Sequence, residues 1–209
     1  VTDPPYGVQY APEWRNEAAA QGKLAYAARR TGRVVNDDRC DWAEAYLLFP
    51  GAVAYTWSPG GDLVIQTGQA LQKAGFQIRN QLIWKKPHFP ISRGHYTYQH
   101  EPCWYAVRQG ARSYWIGGAS ASPMWDLALD KNVEGGHSTQ KPLECMARPI
   151  RNHDAPQVYD PFVGSGTTLV ACQNLSRVCY ALDIDPGYVA VTLHRWATLT
   201  GETPAKVEG

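Results

Sequence analysis

The sequence predicts an α/β protein with a central, mostly parallel sheet flanked by helices. Three observations carry this. Short apolar runs of strand length alternate with patterned runs of helix length along most of the chain. A glycine-rich turn, Gly164-Ser165-Gly166, stands between a strand and a helix near the C-terminus. The length, 209 residues, suits a single packed domain over 1–209 with room for a small insertion.

The elements follow in order. Residues 11–41 are polar, Ala- and Arg-rich and weakly patterned, which predicts a long loop with some helix. Asp41 is placed to cap a helix over 42–49. Residues 52–57 form a strand that Ser58-Pro59-Gly60-Gly61 ends. Leu63, Ile65, Ala70, Leu71 and Ala74 give 62–74 a helical period, stopped by Gly75. Residues 76–84 read as a strand, which Pro87 ends; 88–98 are a loop and 101–108 another strand. From 111 to 136 the chain is rich in Gly, Ser and Trp without a period, which reads as an insertion. A helix over 142–152 follows, then strand 157–160, helix 167–175, strand 178–184 and helix 186–199.

Composition sets outer bounds. The chain is 44% hydrophobic, enough for a core, and no run is long and apolar enough to span a membrane. No secretion signal is visible, and the five cysteines form no CxxC pair, so they read as reduced thiols of a cytoplasmic protein. A net charge of +1 says nothing for nucleic acid, and the eight tryptophans and twelve tyrosines suit a core or a base-stacking surface equally. Val1-Thr2-Asp3 reads as a strand end running into a loop, which suggests a segment upstream.

Residues 157–200 form one β-α-β-α unit that suits a cofactor. Its turn is Asp160-Pro161-Phe162-Val163-Gly164-Ser165-Gly166-Thr167-Thr168. Glycines there let a ligand approach the main chain, and the helix start offers free N–H groups. The next strand runs into Asp183-Ile184-Asp185-Pro186, where an acid can accept hydrogen bonds from two ribose hydroxyls. Taken singly, the glycines are also compatible with a tight turn and Asp183 with a helix cap. Their spacing within one unit favours a nucleoside-containing cofactor, and the departure from GxGxxG disfavours a dinucleotide.

Asp3-Pro4-Pro5-Tyr6-Gly7 is the second informative element. Two prolines fix the backbone and leave carbonyls and the Asp3 carboxylate as rigid acceptors, with an aromatic beside them. That set suits a flat ring bearing an amino group. Alone, it is equally a proline-rich turn with a packed tyrosine.

Together the two loops resemble those of DNA amino-methyltransferases. His137-Ser138-Thr139-Gln140-Lys141-Pro142 adds the "HxTQKP" segment such enzymes often carry. The order, catalytic loop first and glycine-rich loop last, resembles the beta group. Arg93-Gly94-His95-Tyr96 and His100-Glu101-Pro102-Cys103-Trp104 resemble its phage and prophage branch, sometimes fused to a ParB-like domain. The resemblance implies a Rossmann-like methyltransferase fold with permuted motif order, S-adenosylmethionine as cofactor, and transfer of its methyl to adenine N6. It also implies double-stranded DNA as partner with the target base flipped out and residence in a bacterial or phage-infected cell; a homodimer is one assembly it allows, the oligomeric state being open.

By the same resemblance Asp3, Pro4, Pro5 and Tyr6 form the loop that holds and activates the base. Asp160, Phe162, Gly164, Ser165, Gly166 and Thr167 line the cofactor pocket, Thr139 and Lys141 lie near its methionine end, and Asp183 binds the ribose, with Asp185 the competitor. Cytosine N4 is the nearest alternative target; that subgroup more often has Ser where this chain has Asp3. RNA or protein substrates, a non-catalytic binding module and a nicotinamide oxidoreductase stand further off. Lys85, Lys86, His88, Arg93 and His95 form a basic run suited to phosphates, or to a solvated face, as do Arg29, Arg30 and Arg33. Residues 109–136, with Trp115 and Trp125, fall where the family reads its target sequence. The spacing of the histidines fits no zinc signature, so no metal is expected.

Overall fold

The computed structural model describes residues 1–8, 13–22, 35–88, 95–128 and 140–207. Among these, helices α1 (Glu13–Ala20), α2 (Ala43–Leu47), α3 (Asp62–Lys73), α4 (Leu143–Arg151), α5 (Thr167–Asn174) and α6 (Pro186–Thr200) alternate with six strands. The strands are β1 (Val53–Trp57), β2 (Phe76–Lys85), β3 (His100–Arg108), β4 (Met124–Asp126), β5 (Gln157–Asp160) and β6 (Val178–Ala181).

One sheet has the order β1-β3-β2-β4, and β5 and β6 pair in parallel beside it. Strand β3 runs antiparallel to both β1 and β2, while β4 runs parallel to β2, so β1, β2 and β4 share a direction and β3 alone opposes them. Residues 1 and 2 join the two sheets. The Thr2 N–H donates to the Tyr55 carbonyl at 2.9 Å, and the Trp57 N–H donates to the Thr2 carbonyl at 3.0 Å. On the other side the Val1 nitrogen donates to the Tyr159 carbonyl at 3.3 Å, and the Thr2 hydroxyl donates to Asp160 Oδ1 at 2.6 Å.

Strand alternation sends side chains into two cores. Tyr55 and Trp57 of β1 point to a core shared with Trp84, Trp125, Met146, Ile150 and Ala171, under α4 and α5. Ala54 and Phe76 point the other way, to Trp42, Tyr46, Ala70 and Leu71 of α2 and α3. The result is three layers, helix on sheet on helix. Gly68 sits inside α3 because the Trp104 indole lies 3.2 Å from where a Cβ would be, and that indole N–H donates to the Val64 carbonyl at 2.8 Å. None of the five cysteines is in a disulfide. Among the described residues no helix is long and apolar enough to cross a membrane.

Two expectations change. The last strand stops at Ala181 rather than 184, because Leu182 turns its N–H to the Asp160 carbonyl and its carbonyl to the Val163 N–H. The apparent insertion also holds a strand: β4 extends the main sheet along β2 and drives Trp125 into the core against Trp57. Three residues are too few to show a period.

Candidate active site

Thr2 lies beside Thr56 in the sheet, so the Asp3-Pro4-Pro5-Tyr6 loop begins at the C-terminal end of β1. The Trp42 indole donates to the Pro5 carbonyl at 2.9 Å and pins the loop. Gly7 closes the turn with φ of 71°; a Cβ there would lie 2.7 Å from the Arg39 carbonyl carbon, so no other residue fits.

Lys141 meets this loop from the TQKP segment. Its ammonium donates to both Asp3 oxygens at 2.8 Å, to the Tyr6 hydroxyl at 2.6 Å, and pairs with Glu101 Oε2 at 2.8 Å. The Tyr6 hydroxyl in turn donates to Asp3 Oδ1 at 2.7 Å. The outer oxygen of Glu101 pairs with Lys86. The Lys141 ammonium also lies 5.1 Å from the Tyr6 ring centre and 5.2 Å from that of Trp57. The side chain is only 5% exposed, so its charge depends on these partners.

The shifts follow from that packing. Burial alone would raise the Glu101 carboxyl, but Lys141 and Lys86 pull it down to about 2. Burial would lower the Lys141 ammonium; Asp3 and Glu101 overcome this and hold it above its ordinary value. Burial and the same two carboxylates push the Tyr6 phenol up, so it stays protonated. At neutral pH the cluster is two lysines alternating with two carboxylates around a neutral phenol.

The glycine-rich loop lies beyond the end of β5. Gly164 and Gly166 both have positive φ, 52° and 87°. Nothing lies within 4 Å of a Cβ built on Gly164, so this backbone borders open space that a ligand can enter. Gly166 caps α5 and is closely covered: its Cβ would lie 2.9 Å from Thr192. Asp183 accepts the Gly164 N–H at 2.8 Å and the Asp185 N–H at 2.9 Å, and so holds the loop's opening. The Thr192 hydroxyl donates to the Gly164 carbonyl at 2.8 Å, and Arg195 donates to the Ser165 carbonyl. The Ser165 hydroxyl reaches Gln140 Oε1 at 3.4 Å, next to Lys141. Phe162 packs edge-on to Trp42, ring centres 4.8 Å apart. Exposed glycine backbone, a helix start and a carboxylate form a donor and acceptor set that fits a nucleoside cofactor.

Several expected residues take other places. Lys141 grips the Asp3-Pro4-Pro5-Tyr6 loop, because two carboxylates and a phenol converge on it. Asp160 is 1% exposed and braces the loop from below: it accepts from Thr2 and from the Phe162 N–H at 3.1 Å, and burial raises its carboxyl. Thr167 is buried at the start of α5. Asp185 caps α6 by accepting the Gly187 N–H at 2.7 Å, which leaves Asp183 as the acid facing the loop. In the basic run, Lys86 belongs to the Glu101 cluster and Lys85 pairs with Asp126 at 2.9 Å. His88 and His95 are exposed. Arg93, Thr139, His137, Ser138, Arg29, Arg30 and Arg33 lie outside the described residues. Among the described residues no cluster of His, Cys, Asp and Glu is placed to hold a metal. Glu101 and Gln140 were missed as site residues; a lone carboxylate opening an apolar strand was the signal for Glu101.

A family model for DNA methylases that act at N6 or N4 matches residues 1–194, nearly the whole chain. The chain belongs to the N6/N4 DNA methylase family. The chain is similar to the type II methyltransferase M2.DpnII of Streptococcus pneumoniae, 31% identical over 149 residues, covering 63% of this chain and 56% of that protein. The chain spans a little over half the length of such relatives. This member of the N6/N4 DNA methylase family shares its fold with solved neighbours. The M1.HpyAVI–SAM complex has a TM-score of 0.62 at 24% identity, over 93% of this chain and 86% of that one. The PvuII DNA methyltransferase, described as cytosine-N4-specific, has a TM-score of 0.66 at 15% identity, over 94% and 78%. The fold is therefore the Rossmann-like methyltransferase fold, with the Asp3-Pro4-Pro5-Tyr6 loop preceding the glycine-rich loop in the chain.

Proposed function

We propose that this chain is the catalytic core of an S-adenosylmethionine-dependent DNA methyltransferase that methylates an exocyclic amino nitrogen, adenine N6 by preference. The observation that carries this is the Asp3 carboxylate, gripped through both oxygens by Lys141 on a rigid proline turn, with the Gln140–Ser165 contact joining the TQKP segment to the glycine-rich loop. Family membership and the SAM-bound neighbour support the cofactor. Asp183 and the Gly164 backbone would hold its nucleoside part, and the bound cofactor supplies an electrophilic methyl group.

The chain's own residues then do the following. The target base leaves the duplex stack, a cost of about a few kcal/mol that pocket contacts must offset. Tyr6 packs on the base. An aromatic amine is a poor nucleophile because its lone pair is delocalised into the ring. Hydrogen bonds from its N–H groups to Asp3 and to the Pro4 carbonyl localise that pair as the nitrogen becomes tetrahedral, and positioning supplies most of the rate. Cytosine N4 is the second reading, because an N4-specific methyltransferase shares the fold and the same acceptors serve either amine.

The test is to incubate the protein with S-adenosylmethionine and unmethylated genomic DNA, then identify methylated nucleosides by mass spectrometry. N6-methyladenine from wild type, falling on the order of 10²–10³-fold in Asp3→Ala, is the expected result. N4-methylcytosine would reassign the target. Full methylation by Asp3→Ala with cofactor affinity intact would refute the assignment. Glu101 still holds Lys141 in that variant, so the fold should survive.

A further inference from the structure

Glu101 lies at the start of β3, 19% exposed, between two lysines that reach it from different elements. Nothing in the packing of β3 calls for a carboxylate there. Its effect is on Lys141. An ammonium has three protons, and with Asp3 and Tyr6 as its sole partners all three would be spent on the catalytic loop, with both Asp3 oxygens occupied. Glu101 Oε2 is a fourth acceptor at 2.8 Å, so the three protons are shared and the ammonium is fixed between two carboxylates instead of on one, while it stays within 2.8 Å of both Asp3 oxygens. Lys86 balances the second charge, so the cluster is neutral as a whole.

We propose that Glu101 is a positioning residue that acts through Lys141: it anchors the ammonium so that the Asp3 carboxylate stays aimed yet can still accept the target amine. This rests on the methyltransferase reading. It also reassigns Lys86, from the basic run, to the support of the catalytic loop.

The experiment compares Glu101→Gln, Glu101→Asp, Lys141→Met and the double variant Glu101→Gln with Lys141→Met. Three readouts are taken: methyl transfer to DNA against pH, cofactor affinity, and the rate at which Lys141 is acetylated against pH, followed by mass spectrometry. In Glu101→Gln, kcat falls by up to about 10²-fold while cofactor affinity and KM for DNA hold, as expected for a misaimed acceptor. Lys141 acetylation rises at a given pH, because the ammonium loses one of the two carboxylates that hold it. Glu101→Asp keeps the charge and restores part of kcat. In the Lys141→Met background Glu101→Gln costs far less than in wild type, since only its direct 3.3 Å contact with the Tyr6 hydroxyl remains. Unchanged kcat and acetylation in Glu101→Gln, or full additivity in the double variant, would overturn the proposal. Acetylation does not depend on turnover. A wild type that methylates no DNA would sink the methyltransferase reading alone, and the acetylation shift would still decide for or against the Glu101 anchor.

Discussion

Asp183 and Asp185 stand two residues apart after β6, and sequence alone could not separate their roles. The hydrogen bonds do. Asp183 turns its carboxylate to the Gly164 and Asp185 N–H groups, at the mouth of the glycine-rich loop; Asp185 turns its own to Gly187 and ends its work at the α6 cap. Losing a charged acceptor that also holds the loop should weaken cofactor binding by about 10–100-fold in Asp183→Ala. Losing the cap in Asp185→Ala should cost about 1 kcal/mol of stability and leave cofactor affinity near wild type. Calorimetric titration of S-adenosylmethionine into both variants, with melting curves, checks this; equal losses of affinity would show that the two acids act together. The legible residues were those whose chemistry is written locally, such as Asp3 with its prolines and Gly164 with Gly166. Lys141 and Glu101 were not legible in their roles, because their partners are 138 and 40 residues away in sequence and only the sheet order brings them together.

At the scale of elements, period and punctuation were enough for most of the fold. The amphipathic run over 62–74, closed by Gly75, became α3, and 157–160 became β5 with the same bounds. What failed lacked a local signal: β4 is held by pairing to β2, and the reversed direction of β3 is a matter of sheet assembly. The turn into α5 shows how an element and a site share one constraint. Gly166 needs φ of 87° to start α5, and Thr192 of α6 closes over it while its hydroxyl holds the Gly164 carbonyl. A methyl group at Gly166 would both strain the backbone and push α6 away. Gly166→Ala should therefore lose about 2 kcal/mol or more in urea unfolding, and cofactor affinity with it. In Gly164→Ala the methyl meets open space, so the strain should appear with little repacking, and the larger loss should be in cofactor binding. A Gly166→Ala protein as stable as Gly164→Ala would contradict this account of the turn.

The whole molecule carries its pH dependence in groups far apart. His153 follows α4 and is 4% exposed. Its Nδ1–H donates to the Ser113 carbonyl at 2.5 Å, and its Nε2 accepts from the Tyr55 hydroxyl at 2.8 Å, so the neutral ring ties α4, β1 and the chain leading to β4. Burial lowers its pKa below the ordinary 6.5. The unfolded chain then takes up the proton first, so this contribution is complete above pH 6.5 and shrinks as the pH falls through that value. Glu101, depressed from 4.5 to about 2, adds stability that is complete above pH 4.5 and lost toward pH 2. Asp160 has the opposite sign: burial raises its carboxyl, and acid relieves rather than imposes a penalty. Between pH 7 and 5, then, His153 sets the trend, with a slope of at most about 1.4 kcal/mol per pH unit. Urea unfolding across that range should show stability falling in wild type and a flatter profile in His153→Gln, which begins lower at pH 8 because the Tyr55 and Ser113 contacts are weakened. A wild-type profile that is flat or rises toward pH 5, or a variant with the same slope, would mean that another group governs the acid side, and Asp160 would be the first to substitute.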